Sequence, residues 1–447
     1  MNSEARVAHV WRRLGFGPAP GDVEAGVAAG GASAVIDDLL ARPATTLTDW
    51  HWPTDTRNPP VVEDMGRWVD QLWKLWMHSP GVVQERVSWI LTGITVAGIT
   101  DTVKYLDLKD HHNHLRAWPS STYKALLTDV ASGTAMQKYL NGTLSAPPHP
   151  NENLARELME LFSLGVTHPA TGTNNYDEND VKEVARALTG YRWNGQSGPS
   201  SVWFDAAFWD TGDKTFLGAA RGAAKLPDVI DAIASQDSFK YFVPKQMYRD
   251  LVGIDPSIST LHELAAVWGG DGDIAGLVNH IAHRPEFVAD ATVGNRLKSP
   301  VELMASCMRV LGFADVSQFS LYWTPSLMRQ NPITPPDVSG WDSGWLHPAH
   351  IVSWSEMAYW LAWFDRGPSE TQYPTPVAQR SPTMRSFFAE ATTATATDMA
   401  LRLAGLYEVP PSTREAVDAY VKAGTWDWQR ACGTMQLVFN SPEFMVN

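Results

Sequence analysis

Cysteine is scarce. Only Cys307 and Cys432 occur in 447 residues, far apart, which excludes both a disulfide framework and a thiolate zinc site but says little about redox compartment. Basic runs are missing as well. The formal charge is −14 and no block of several Lys and Arg interrupts it, so neither nucleic acid nor an anionic membrane is expected as a partner. No apolar run reaches the roughly 18 to 20 residues that a spanning helix needs, and no membrane insertion is expected. The opening MNSEARVAHVWRRLGFGP lacks the continuous apolar segment of a secretory signal. As written, the chain reads as cytoplasmic, or as exported if a leader was removed. A phosphate-binding loop is also lacking: GDVEAGVAAGGAS (21–33) has no strand before it and no Lys to reach a phosphate, so no nucleotide cofactor is expected. Neither a Gly-x-Ser-x-Gly elbow nor His-Glu-x-x-His is present.

What is abundant is tryptophan, with 20 copies, and helical periodicity. Tryptophans fill cores, and their flat faces also stack on sugars and cations. In DMGRWVDQLWKLWM (64–77), Met65, Trp68, Leu72, Leu75 and Trp76 form an apolar stripe. Similar stripes run through 122–140, 152–164, 180–188, 227–234, 258–268, 273–283, 299–311, 354–364, 393–407 and 427–439. Alternating strand patterns are scarce. The expected fold is all-α, a single helical body over 1–447 with few or no strands. Long loops are expected near 43–62, 191–226 and 366–392, where Pro, Gly, Ser, Thr and Asp gather.

Residues 150–165, PNENLARELMELFSLG, carry the densest polar group. At 100° per residue, Leu154, Ala155, Leu158, Met159, Leu161 and Phe162 share one side of a helix. Glu152, Asn153, Arg156, Glu157 and Glu160 share the other. Asn151 suits the N-cap and Gly165 the C-terminal cap. Two readings follow. Glu152–Arg156 and Arg156–Glu160 are i, i+4 pairs of an ordinary wet helix face. Alternatively, Glu157 and Glu160 enter a cleft as acid and base or as oxygen ligands for a cation, with Arg156 holding one carboxylate ionised and Glu152, Asn151 and Asn153 around them. In YDENDVKEVARALTGYRW (176–193), Asp177 and Asp180 make a capping arrangement and Val181, Val184, Ala185 and Leu188 a buried stripe. That leaves Arg186 and Trp193 as candidate substrate contacts.

These two segments resemble the signature of the bacterial family catalogued as domain of unknown function 1800. HVWRRLGFGP (9–18), AMQKYLNG (135–142), DTGDKTFLG (210–218), LKSPVELMASCMRVLG (297–312), PPDVSGWDSGWLHPAHIVS (335–353) and SPEF (441–444) agree in order, so the resemblance covers nearly the whole chain. It implies one largely helical module and no particular reaction. It also implies export in many members and a sulfatase-like partner protein. The chain departs from the family pattern at three histidines. Ile90 and Thr92 stand where a Trp-His-x-His-Phe element is expected, and Trp209 stands where a His precedes Asp-x-Gly-x-Lys. His111, His112 and His114 are the candidate replacement, a cluster able to hold a divalent metal. Trp341 in SGWDSGW is a candidate stacking residue. His347, ahead of Pro348, reads as a helix-start capping partner. The leading expectation is an enzyme performing hydrolysis or group transfer on a polar small molecule or glycan, with a neutral or cationic substrate matching the acidic balance. The alternative is a non-catalytic carbohydrate-binding or assembly protein that has lost the histidine site.

Overall fold

Apolar residues at three- and four-residue spacing become helices almost wherever they occur. The computed structural model describes residues 1–45, 62–314, 325–341, 347–365 and 380–447, with backbone alone over 62–68 and at 325. Among the described residues lie twenty-one α-helices and two antiparallel two-stranded sheets, a mostly α architecture. One hydrophobic cluster runs from Val7 in the first helix to Phe444 near the end of the chain. The expected loop at 43–62 falls largely outside the described residues, as do Asp342 and Trp345 of SGWDSGW and the stretch 366–379.

Three expectations need correction. The region 191–226 is not one irregular loop: Tyr191–Trp193 pairs with Val202–Phe204, and Lys214–Phe216 with Ala219–Gly222. The second hairpin turns on Leu217 and Gly218, both at positive φ (49° and 73°), the combination a tight two-residue turn requires. Asp180 Oδ1 accepts from Leu217 N at 2.7 Å and holds that turn against the helix Glu178–Ala187. Toward the C-terminus, the stretch 366–392 ends in a helix, Pro382–Glu390, capped by Ser381. Finally, the 122–140 stripe is two helices, Tyr123–Ser132 and Thr134–Tyr139, broken at Gly133 in extended conformation.

The helix Val82–Ile94 positions the site. Gln84, Glu85 and Arg86 are all buried within it, so their partners must come from elsewhere in the chain. Glu85 pairs with Arg116 at 2.6 Å, and Arg86 with Glu302 at 2.6 Å. The helix packs on Val62–His78, Tyr105–Arg116 and Phe242–Val252. Tryptophans line its other contacts. Trp73–Trp76, Trp76–Trp89 and Trp89–Trp341 have ring centroids 4.8, 5.3 and 5.2 Å apart, leading from the core to a surface cleft.

Candidate functional site

The carboxylate segment folds as the helix Asn153–Glu160, shorter than its apolar stripe. Beyond Glu160 the backbone bonds widen: Phe162 N donates to Glu157 O and Leu164 N to Met159 O, and the turn ends at Gly165 with φ 75°. The N-cap position is Glu152 rather than Asn151. Asn151 Oδ1 accepts from Asn153 N at 2.9 Å one position earlier. Leu154, Ala155, Leu158, Met159 and Phe162 are buried as their spacing requires.

On the polar side, Arg156 makes a two-pronged bond to Glu178 (2.9 and 2.8 Å) and lies 3.6 Å from Glu152. The guanidinium expected to serve Glu160 is thus engaged with Glu178 from the following helix. Glu160 Oε2 instead accepts from Tyr176 Oη at 2.8 Å. Glu157 is half-buried, and its carboxyl is pushed up by burial and by neighbouring Glu160, against a smaller downward pull from Arg156. None of Asn151, Glu152, Asn153, Arg156, Glu157 and Glu160 lines the cleft described below.

Arg186 is occupied. It bonds Asp210 and Glu183 at 2.9 Å and the carbonyl of Asp213 at 3.1 Å, clamping the 210–213 turn to its helix. Trp193 donates to Gln196 O at 2.5 Å and lies under Lys138 Nζ at 4.8 Å. Lys138 is itself buried against Asp107.

The three histidines sit on the helix Tyr105–Arg116, where at about 100° per residue His112 turns away from His111 and His114, which share one side. His111 Nε2 meets Thr95 O at 2.9 Å. Burial pushes the pKa of His111 down to about 4. Burial, with smaller contributions from Arg116 and His111, pushes that of His112 down to about 3. His112 lines a hollow of about 20 Å³ together with Thr92, Trp76 and Trp89. Among the described residues no three His, Cys, Asp or Glu side chains converge as metal ligands, so the expected histidine metal cluster does not form.

A cleft opens along the other side of Val82–Ile94. Arg86, Trp89, Ile90, Gly93 and Ile94 recur at helical spacing along its wall. Opposite stand Gln246 and Asp250 from Phe242–Val252, Arg296, Ser299 and Glu302 at the start of Pro300–Leu311, and Gln330, Ser339 and Trp341. This inner hollow measures about 240 Å³. It adjoins an outer one of about 510 Å³ bounded by Gly165–Gly172, Phe242, Lys245 and Arg249, and the two share Gly93, Ile94, Gln246 and Ser339. Trp341, whose Nε1 donates to Asn331 O at 2.9 Å, is the one sequence-predicted site residue on its walls.

Glu302 is the electrostatic centre. Its Oε1 accepts from Arg86 and Arg296, and its Oε2 from Ser299 N at 2.7 Å. Burial would raise this carboxyl. The guanidinia of Arg296 and Arg86 outweigh burial and hold it ionised, well below the usual carboxylate range. Asp250 Oδ1 stays 4.0 Å from Arg86 and 3.8 Å from Arg296, beyond hydrogen-bond length. Beneath the floor, buried Arg13 donates to Asn295 Oδ1 (2.5 Å), Thr292 O (3.0 Å) and Asp250 O (3.4 Å).

After this pairing, donors are left over. Arg86 Nη2, Arg296 Nε and Gln246 Nε2 are buried N–H groups with no hydrogen-bond acceptor among the described residues. The walls carry Arg86, Arg296, Lys245 and Arg249 against two carboxylates, Asp250 and Glu302. In an acidic protein, this cleft is locally cationic. Sequence reasoning missed these residues because they are scattered over five segments. The available signal was Gln84, Glu85 and Arg86, a polar triplet between the apolar residues of one helical stretch.

The fold is a mostly helical body and its candidate site a donor-rich cleft. A family model described as "Protein of unknown function (DUF1800)" matches residues 9–446, and the chain belongs to that family. No curated protein and no solved structure matches it. Of the positions where histidine is expected from the resemblance, Ile90 lines the inner hollow and Thr92 the small hollow beside His112.

Proposed function

We propose that the cleft binds an anionic, polar small molecule or an anionic portion of a glycan, with Arg86, Arg296 and Gln246 as contacts and Trp89 and Trp341 as an aromatic wall. One observation carries this reading: the buried polar atoms left without partners there are all N–H donors. Each such group costs about 1–3 kcal/mol while unsatisfied, and a ligand oxygen would offset that cost. The local charge favours an anion over the neutral or cationic substrate suggested by the net charge. Glu302 is saturated with donors and strongly acidic, which suits a positioning role and not that of a general base.

The test is a titration with sulfate, phosphate and carboxylates at constant ionic strength, followed by tryptophan fluorescence. Saturable quenching at millimolar concentration or below is expected. Gly93 supplies a variant that spares the fold: a Cβ built there meets nothing within 4 Å, although Gly93 lines both hollows. Gly93→Leu should weaken binding at least tenfold while keeping or raising Tm, because glycine is a poor helix former. Wild-type affinity in that variant would remove the cleft from consideration.

A hydrolase or transferase reading attaches to the carboxylate helix. The raised carboxyl of Glu157 and the Tyr176–Glu160 hydrogen bond favour it, since they are the makings of a proton donor and a held carboxylate. Under this reading Glu157→Gln and Glu160→Gln each abolish turnover while Tm stays within a few degrees of wild type. Activity surviving in both variants would end it.

A further inference from the structure

We infer that the ligand carries two anionic groups separated by an apolar middle. This rests on the anion-binding reading and adds the spacing of the charges. The cleft is bipartite. Arg86 and Arg296 mark its inner end, and Lys245 stands on the outer wall. Lys245 is half-buried, and its Nζ has no ion pair or hydrogen bond among the described residues. Nearby Arg249 differs, since it is well exposed and its Nε lies 3.2 Å from Asp255.

The geometry argues against one anion serving both ends. Arg86 lines only the inner hollow, whereas Ile94 lines both, and the rise from position 86 to position 94 spans about 12 Å of helix axis. A single carboxylate, sulfate or phosphate covers a fraction of that length. Between the ends the walls change character: Trp89, Ile90, Trp341 and Val338 supply apolar surface. The unpaired amide of Gln246 faces both hollows from the junction, and Lys245 is its neighbour in sequence. Cation, apolar wall with one amide, cation: a matching ligand has anion, apolar or weakly polar spacer, anion.

The spacing is testable without knowing the natural ligand. Straight-chain dicarboxylates of four to ten carbons are compared with hexanoate by calorimetry at constant ionic strength. Affinity should rise with length to an optimum, where the diacid binds at least tenfold tighter than hexanoate. Lys245→Met should reduce the best diacid to the level of hexanoate and leave hexanoate unchanged. A flat length series beside saturable binding of hexanoate or sulfate would overturn the two-anion inference and leave the anion site standing. Lys245→Met weakening hexanoate and the best diacid equally, or neither, would also overturn it. No saturable binding of sulfate, phosphate or any carboxylate to the wild type would overturn both.

Discussion

The helix Asn153–Glu160 and the helix Val82–Ile94 handle charge in opposite ways. The first displays its charged groups together on one side, and most find partners near the surface: Arg156 with Glu178 and Glu152, Glu160 with Tyr176. The second hides Glu85 and Arg86 among apolar neighbours and takes their partners from residues 31 positions away for Glu85 and more than two hundred for Arg86. Density of polar residues therefore does not mark the donor-rich cleft here. What marks it is a local group of unpaired donors: of the buried N–H groups left without an acceptor among the described residues, Arg86 Nη2, Arg296 Nε and Gln246 Nε2 line the second helix's cleft together.

The largest expected effect that sharpens this contrast is at Glu302. Glu302→Leu leaves Arg86 and Arg296 buried near one another without their shared carboxylate. It should cost about 3–5 kcal/mol in denaturant unfolding, the usual penalty for stranding a buried charge. The pH dependence has a definite sign. The carboxyl is depressed in the fold, so its contribution is complete above its unfolded value of 4.5 and fades as pH falls below it. The gap between wild type and variant should accordingly narrow in acid. A loss no larger than a surface substitution would break the comparison.

A smaller effect of opposite sign is expected at Glu157. Its carboxyl is raised, so below pH 4.5 it is protonated in both folded and unfolded chains and contributes nothing to the pH dependence. Above 4.5 the unfolded chain ionises first and stability falls. Glu157→Gln should raise Tm modestly at pH 7, with no gain at pH 4. A loss of stability at pH 7 would show that the ionised carboxylate has a favourable partner. Smallest of all is Arg156→Met. Its contact with exposed Glu178 is solvent-screened, and the denaturation midpoint should not move measurably. A shift rivalling that of Glu302→Leu would erase the distinction between the two helices.

Much of the fold was legible because it depends on neighbours in sequence. Asp177 and Asp180 form the capping box their spacing suggests, and Val181, Val184, Ala185 and Leu188 are buried. His347 caps Pro348–Trp363 by accepting from Ala349 N at 3.2 Å. The hairpins at 191–222 were missed because their strands are only three or four residues long, too short for alternation to register. The cleft was legible at Trp341 alone. Locally Glu302 is a helix-capping acid, since Ser299 and Glu302 form a capping box. Its second task depends on Arg86 and Arg296 arriving from elsewhere, and no local pattern carries that.

Arg13 belongs to the first helix, yet its guanidinium grips carbonyl and amide oxygens 237 to 282 positions downstream. Contacts closing loops of that size form late, after most of the chain has lost its freedom. A floor tied in this way does not open by itself as a flexible lid would. Amide protons around it should exchange only when the whole molecule unfolds, so an occupant of the cleft would protect the first helix against exchange as strongly as the residues it touches.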